Sequence, residues 1–237
     1  MSAMLRRYRV QLKSPDKADK RDNSDYFVTM PASEQARHTL QPPVDTAGLQ
    51  ALIGRAARAG KGFPPVERWN PDFCGDIDME IRADGRWFYL GTPIGRPALV
   101  QLFSSVLRKD ADGKTYLVTP VEKLGIRVED APFVAVEMNI SQREGAQVLT
   151  FRTNVGDVVE AGPGHPLRFA EEEGSGGLKP YLHVRGRLES LVSRPVTYEL
   201  VEAGEEVETA EGPMFAVRSL GAVFPIMPAA KLARLSA

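Results

Sequence analysis

Polar side chains that could hold an anion lie on two strand-like segments of the sequence. Arg152 and Asn154 alternate with apolar residues, and His183 and Arg185 do the same further along the chain. Because side chains of a strand alternate between its two faces, each pair shares one face. Arg96 precedes a predicted helix, and a helix N-terminus with arginines suits a phosphate or carboxylate. The alternative is an ordinary solvent-facing surface, since an amphipathic strand must place its polar face somewhere.

Other reactive residue types form no recognisable catalytic or metal motif. Asp72, Asp76 and Asp78 surround Cys74, and clustered carboxylates suit hard cations, but the spacing is not that of a calcium loop. We read these carboxylates as a solvated strand face, and Cys74 as a packing residue because acidic neighbours disfavour a reactive thiolate. The glycines at 174–177 lack the strand and the Lys-Ser/Thr pair of a phosphate-binding loop. We therefore predict no cofactor and no metal.

The composition limits which classes of protein this chain can belong to. The chain has 237 residues, of which 43% are hydrophobic and 26% charged, as in ordinary globular proteins. Its 30 Lys+Arg and 31 Asp+Glu give a net charge of -1, so we expect no general binding to duplex DNA, which needs an excess of cations. One cysteine excludes an intrachain disulfide. No apolar run is long enough to span a membrane, and we predict a cytoplasmic protein without membrane contact.

The N-terminal part of the chain is predicted to hold an extension and then an α+β domain. Residues 1–44 are basic and contain prolines, which predicts a mostly flexible extension; a basic arm for an acidic partner is the alternative. A helix is expected after Asp45 or Thr46, with its apolar face spaced as in a helix, ending near Gly60. This helix opens an N-terminal domain at 45–124.

Period-two alternation from Ile77 to Ile81 predicts a strand, and Asp84-Gly85 predicts the turn of a hairpin. Pro97 suits the first turn of a second helix. The buried stripe of that helix is expected to comprise Leu99, Leu102, Phe103 and Val106.

The chain from Gly125 onward is predicted to be a β-rich domain at 125–237. Strands are expected at 133–140 and 147–155, a flexible loop at 171–177, and a short helix near 188–193 that buries Leu188, Leu191 and Val192. Strands near 195–202 and 213–218 complete the prediction. An aromatic strand, a Gly-Arg pair, a Leu-rich helix and a strand recur in both domains, which suggests two similar halves. The fold class predicted is α+β and β-rich, each half having an antiparallel sheet with a packed helix.

Several segments, in order, resemble a bacterial family. They are Trp69–Pro71 with Cys74–Ile77, Gly91–Arg96, Thr119–Lys123, Glu129–Phe133, Phe151–Asn154, His165–Leu167 and Pro180–Arg185. Between about residues 48 and 202 the chain is similar to the family catalogued as domain of unknown function 1285. The resemblance implies two similar halves, the second barrel-like and superficially like a pleckstrin-homology domain. It also implies a nucleotide-like or nucleic-acid-like ligand where the halves meet, and a signalling role.

These observations lead us to expect a binding or regulatory protein that holds a small anionic, nucleotide-like ligand between its halves. The positive charge would come from Arg96, Lys123, Arg152 and Arg185, and further hydrogen bonds from Asn154, His165 and His183. One alternative is a hydrolase in which His165 or His183 is the general base and Asp157 orients it. The other is a protein-interaction module, which an exposed apolar patch or a free sheet edge would indicate.

Overall fold

The computed structural model describes residues 63–235 of the chain. The extension predicted at 1–44 and the helix predicted after Asp45 lie outside the described residues. The first half carries its elements in the order 3-10 helix Val66–Arg68, β1 Phe73–Ile81, β2 Trp87–Tyr89, β3 Thr92–Pro93, α1 Pro97–Ser105, β4 Leu107–Lys109, β5 Thr115–Val118 and β6 Lys123–Val128.

The second half continues with strands and two further helices. Its six-stranded sheet contains β7 Phe133–Arg143, β8 Ala146–Thr153, β9 Val158–Glu160, β10 Leu167–Glu171, β11 Leu178–Arg185 and β12 Leu188–Val192. After it come α2 Arg194–Glu202, β13 Glu205–Thr209, β14 Gly212–Ser219, β15 Ala222–Pro228 and α3 Ala229–Leu235.

The two six-stranded sheets have the same strand order. The first runs β3-β2-β1-β6-β5-β4 and the second β9-β8-β7-β12-β11-β10. Each sheet is therefore two antiparallel three-stranded units whose first and last strands pair in parallel at the centre, β1 with β6 and β7 with β12. The sheets are mixed because of that one parallel pair. The predicted α+β, β-rich architecture of two similar halves is confirmed.

The helix predicted near 188–193 is wrong, and so are the strands predicted near 195–202. Gly186-Arg187 forms a two-residue turn that places Leu188 opposite Arg185, so the chain returns at once as β12. Leu188 and Val192 are buried and Leu191 is half-buried, which a strand explains as well as a helix does. The helix starts only at Arg194, where the following proline favours a first turn.

The Gly-Arg repeat suggested by the sequence is consequently a coincidence, although the two halves are alike. Gly95-Arg96 leads into α1, which joins β3 to β4, whereas Gly186-Arg187 is a hairpin turn between β11 and β12. Gly125, the expected boundary between the halves, lies inside β6, and the first sheet extends to Val128.

The turn at Asp84-Gly85 is present, but only Gly85 has a positive φ, of 80°. Arg82 and Arg86 pair across it, so the loop has one more residue than the two-residue turn that the sequence predicts. A Cβ at Gly85 would lie 2.6 Å from Asn154 Nδ2, so glycine is needed for space as well as for conformation.

One apolar core runs through both halves. Phe103 and Val106 of the predicted helical stripe are fully buried, and Leu99 and Leu102 are half-buried. The Phe103 ring stacks on Trp87 with centroids 6.2 Å apart. The stripe predicted from the 3.6-residue period therefore packs as expected, with its centre at Phe103.

The strands β13, β14 and β15 form a third sheet that packs against the six-stranded sheet of the second half. β14 packs on β8, and β15 packs on β10 at the opposite edge of the sheet. Buried Ser219 joins these layers, because its hydroxyl accepts a bond from Leu149 N (2.9 Å) and donates one to Ala161 O (2.6 Å). None of the helices between residues 63 and 235 has the length and apolar character needed to cross a bilayer.

Phe103→Ala is expected to lower the free energy of unfolding by about 3–5 kcal/mol, because the rigid neighbours of a large buried ring leave a cavity. Phe73, which is 54% exposed, provides the matched control. Chemical denaturation of both variants measures the difference. Equal, small effects of Phe103→Ala and Phe73→Ala would contradict the packing of α1.

An insertion of glycines and serines between Gly174 and Ser175 is expected to leave the melting temperature nearly unchanged. The β10–β11 loop is exposed and bonds mainly to itself, for example through Gly176 N to Glu172 O (2.9 Å). The same insertion between Gly186 and Arg187 should destabilise the fold, because that turn sets the β11–β12 register. Differential scanning calorimetry of the two insertion variants measures both melting temperatures.

Candidate functional site

Three of the predicted cationic residues lie apart from one another and from the junction site described below. Arg96 is exposed and forms the N-cap of α1 with its backbone; within residues 63–235 its side chain makes no hydrogen bond or ion pair. Arg152 on β8 forms a bidentate ion pair with Glu137 on β7. That hydrogen bond lowers the pKa of Glu137 and raises the pKa of Arg152. Both side chains are largely exposed, so the pair is a surface feature.

Lys123 belongs to a structural network in the first half. Its ammonium lies 3.0 Å from Asp110 Oδ2 and 4.4 Å from the ring centroid of Tyr116. The Tyr116 hydroxyl donates to Asp112 Oδ2 (2.5 Å), and this bond raises the pKa of Tyr116 to about 12. Lys123 is thereby held by groups of its own sheet.

Asp110 is also the counterion of Arg108, which is 7% exposed. The Arg108 guanidinium donates to Asp110 Oδ1 (2.6 Å) and to the carbonyls of Val66 (3.0 Å) and Trp69 (2.6 Å). The hydrogen bond from Arg108, joined by that from Lys123, holds the pKa of Asp110 below its usual value. This network fastens the 3-10 helix to β4.

Asn154 joins the two halves through backbone groups. Its Oδ1 accepts a bond from Val134 N (3.0 Å) and its Nδ2 donates to Gly85 O (3.1 Å). Both ends of the amide are therefore used, one by β7 and one by the β1–β2 turn. Asn154 lies where the two halves meet, and both its donor and its acceptor serve the fold.

Arg185, at the end of β11, lies at the same junction. One terminal nitrogen donates to Asp157 Oδ2 (2.6 Å) and the other to Ser104 O in α1 (2.7 Å). The guanidinium carbon lies 4.4 Å from the ring centroid of Phe63 and 4.9 Å from that of Phe133. A guanidinium has five N–H donors, and these bonds use one on each terminal nitrogen. Arg185 is thus a bridge between the halves, and its remaining donors have no partner within residues 63–235.

The two histidines stack beside Arg185, with ring centroids 5.6 Å apart. His165 Nδ1 is 3.2 Å from the carbonyl oxygen of His183, and His183 Nε2 is 2.8 Å from that of Gly186. A carbonyl only accepts, so each of these ring nitrogens carries the proton. In the neutral ring His165 Nε2 is then a hydrogen-bond acceptor. His183 Nδ1 is buried and has no partner within the described part of the chain.

These groups border a cleft of about 740 Å³, within the size range of small-molecule sites. One wall is β9 with the turn before it, and the opposite wall includes Phe63, His165, Arg185 and Leu220. Asp157 lies at the start of the first wall, where Arg185 neutralises it. Of the seven predicted site residues, His165 and Arg185 line the cleft and His183 stacks against its wall.

The hydrolase alternative requires a histidine hydrogen-bonded to a carboxylate. Within residues 63–235 both His165 and His183 bond to backbone carbonyls, and Asp157 bonds to Arg185. Asp157 does not orient either ring, which removes the geometric basis of that alternative.

The acidic cluster on β1 shows no convergence of ligands. In the described part of the chain no three His, Cys, Asp or Glu side chains come together as a metal site would require. Asp76 lies against Gly125, whose added Cβ would meet Asp76 Oδ1 at 1.9 Å, and Asp78 lies 4.0 Å from Arg127.

Cys74 is exposed, so its expected role in packing is wrong. β2 pairs with β1 only from Met79 to Ile81, so the N-terminal part of β1, which contains Cys74, has no partner from β2. The Cys74 thiol lies 3.4 Å from the carbonyl oxygen of Asp72.

Two family models match the chain: "Domain of unknown function (DUF1285), N-terminal domain" over residues 64–131 and "Protein of unknown function (DUF1285), C-terminal domain" over residues 132–226. The chain belongs to the DUF1285 family. The two matches meet after β6, where the first sheet ends, and correspond to the two similar halves. No curated protein matches the chain.

Two solved structures of DUF1285 family proteins are similar to this chain. The crystal structure from Silicibacter pomeroyi DSS-3 is 49% identical with a TM-score of 0.69, and the match covers 77% of this chain and 98% of that one. The protein from Shewanella baltica OS155 is 28% identical with a TM-score of 0.42, over 52% of this chain and 90% of that one.

Phe63 and Leu220 are among the cleft residues that the sequence analysis did not identify. Leu220 lies in the β14–β15 turn with a φ of 49° and is followed by Gly221, also at positive φ. An X-Gly pair shortly after the strand predicted near 213–218 was the available signal, but leucine is not a residue that such turns favour. Phe63 precedes Pro64-Pro65 and carries no periodic pattern; its position depends on Arg185, which packs on its ring.

Asp110→Asn is expected to lower the free energy of unfolding by about 2–3 kcal/mol at neutral pH, because Arg108 would keep a weaker, uncharged partner. The pKa of Asp110 is depressed in the folded state, so its stabilising effect is complete above the unfolded pKa of about 4 and is lost as the pH falls through the folded value. The difference between wild type and variant should therefore shrink below about pH 4. Urea denaturation across pH measures it, and a pH-independent difference would contradict the role of the charge.

Proposed function

We propose that this protein is a non-enzymatic binding module whose cleft beside the junction of the halves takes a small ligand with an anionic group. Arg185 supports the proposal most directly. It lines the cleft, its position is fixed by Asp157 and Ser104, and it retains N–H donors. Preorganised donors bind an anion without paying to order a long side chain.

The other residues that line the cleft indicate which further chemical groups the ligand would have. The Phe63 ring is 59% exposed, so a planar or apolar part of the ligand can pack against it. His165 offers Nε2 as an acceptor to a ligand donor, since its Nδ1 is used by the His183 carbonyl. A nucleotide-like molecule has these three features, as does an amino acid or peptide with a free carboxylate. A regulatory role fits such a module.

Asp157 sets the strength of anion binding. Its carboxylate is 2.6 Å from Arg185, so the two charges cancel and an incoming anion meets oriented donors without a net positive charge. Removing the Asp157 charge should therefore strengthen binding, whereas removing Arg185 should abolish it.

Isothermal titration calorimetry with a nucleoside monophosphate, inorganic phosphate and an N-acetylated dipeptide acid tests the proposal. Asp157→Asn should tighten binding of the anion severalfold, because the unopposed Arg185 charge attracts it, and Arg185→Gln should remove binding. Arg152→Gln is the matched control, since Arg152 pairs with Glu137 on a different surface.

The gain expected for Asp157→Asn is informative because a partly unfolded protein cannot bind more tightly. If none of the three anions binds at millimolar concentration, or if Asp157→Asn weakens the binding that wild type shows, the proposed function is wrong. The dipeptide and nucleotide titrations separate a carboxylate from a phosphate as the anionic group.

A further inference from the structure

The cleft has a feature that a small-molecule site does not need, namely a strand edge along one wall that no other strand between residues 63 and 235 pairs with. β9 is the terminal strand of the second sheet, and Asp157, Val158, Val159 and Glu160 all line the cleft. Val158 is 67% exposed, although Val159 beside it is 7% exposed. Natural proteins usually cover or charge such an edge, because its unpaired backbone groups pair readily with another chain.

The register of β8 and β9 shows which backbone groups are free. The Asp157 carbonyl accepts from Thr153 N (2.8 Å), and Ala161 N donates to Leu149 O (2.9 Å). In an antiparallel ladder alternate residues bond to the same neighbour, so residues 157, 159 and 161 bond inward to β8. The N–H and C=O groups of Val158 and Glu160 therefore point away from β8 at the open edge.

The surroundings of β9 define the direction and the end of an added strand. Arg185 bonds to Asp157, immediately before β9 begins. A strand that pairs antiparallel with β9 has its C-terminus at this end, so its terminal carboxylate lies beside the free donors of Arg185. Its residue opposite Val158 faces an apolar side chain, because directly opposed residues share a face. The remaining donors of Arg185 and the apolar Val158 thus both suit an added strand that runs antiparallel to β9 and ends in a carboxylate.

We propose that the cleft binds the C-terminal end of an extended peptide, which adds to the second sheet as a strand antiparallel to β9 and places its carboxylate on Arg185. This inference rests on the proposed function, because it uses the same cleft and the same arginine. It identifies the anionic ligand as a peptide carboxylate. Backbone pairing with Val158 and Glu160 supplies affinity for any extended chain, and the position opposite Val158 selects an apolar residue.

Selection of a random peptide library with free C-termini against the full-length protein provides the probe. An enriched peptide is then synthesised as the free acid and as the C-terminal amide, and fluorescence anisotropy measures both. The acid should bind, and the amide should bind about tenfold more weakly or worse, because a charge-assisted hydrogen bond is lost.

Val158→Pro tests the strand edge with Val158→Thr as its matched control. Proline removes the outward N–H and leaves the bonds to β8 untouched, whereas threonine keeps the N–H and the branched shape. Val158→Pro should abolish peptide binding and Val158→Thr should retain it. In the wild-type protein, amide exchange followed by NMR should slow at Val158 and Glu160 on peptide addition, and this measurement decides if Val158→Pro does not fold.

Four outcomes overturn the inference: no peptide is enriched, the amide binds as tightly as the acid, Val158→Pro binds normally, or exchange at Val158 and Glu160 is unchanged. A dimer that Val158→Pro dissociates would make a second copy the occupant and would also overturn it. If small anions still bind in an Arg185-dependent way, the proposed function stands without the peptide. If neither anions nor peptides depend on Arg185, both proposals fall.

Discussion

The guanidinium of Arg185 is the group through which the two halves and the cleft are connected. It bonds to a carbonyl in the last turn of α1, where helical carbonyls lack partners within the helix, and to Asp157 in the second half. Phe63 and Phe133 flank it, so much of the cation is removed from water. A charge in such surroundings is tolerated only with a counterion and hydrogen bonds, and both are present. The bonds to Ser104 and Asp157 that stabilise the junction also fix the direction of the remaining N–H donors of Arg185.

The location of the cleft follows from a difference between two otherwise equivalent sheets. In the first half α1 connects the third strand to the fourth, and its Phe103 enters the core. In the second half the equivalent connection, from β9 to β10, is a short loop that carries His165, and the helix comes only after β12. The edge of the second sheet at β9 consequently has no helix from that connection beside it. The β14–β15 turn packs there through Leu220, which leaves the cleft between them.

Local patterns in the sequence predicted the elements well where one face is buried, as for β1 and for Phe103 in α1. They failed for Leu188, Leu191 and Val192, because three apolar residues at this spacing fit a helix or a strand, and the choice was made by pairing with Tyr181 and Phe133 across the sheet. The sequence identified the polar faces of the strands correctly, but it did not identify the residues that pair with them. Arg152 meets Glu137 through a cross-strand register that the sequence of one strand does not contain.

The proximity of His165, His183 and Arg185 also depends on a strand register that the sequence of one strand does not contain. Leu167 lies opposite Leu182 in the β10–β11 pair, and His183 N donates to Pro166 O (3.0 Å), which brings the two rings together. The sequence identified these side chains as candidates because of their chemistry, and the register of one hairpin made them neighbours.

If the cleft binds a ligand as proposed, charge balance limits what it can recognise. The protein has a net charge of -1, and Asp157 neutralises Arg185 before any ligand arrives, so long-range attraction of anions contributes little. Discrimination must then come from short-range geometry: the unused donors of Arg185, the acceptor of His165 and the backbone edge of β9. Hydrogen bonds of this kind depend steeply on distance and angle. A rigid, neutral site selects ligands by the arrangement of their polar groups, whereas a basic patch would bind most anions and depend strongly on salt.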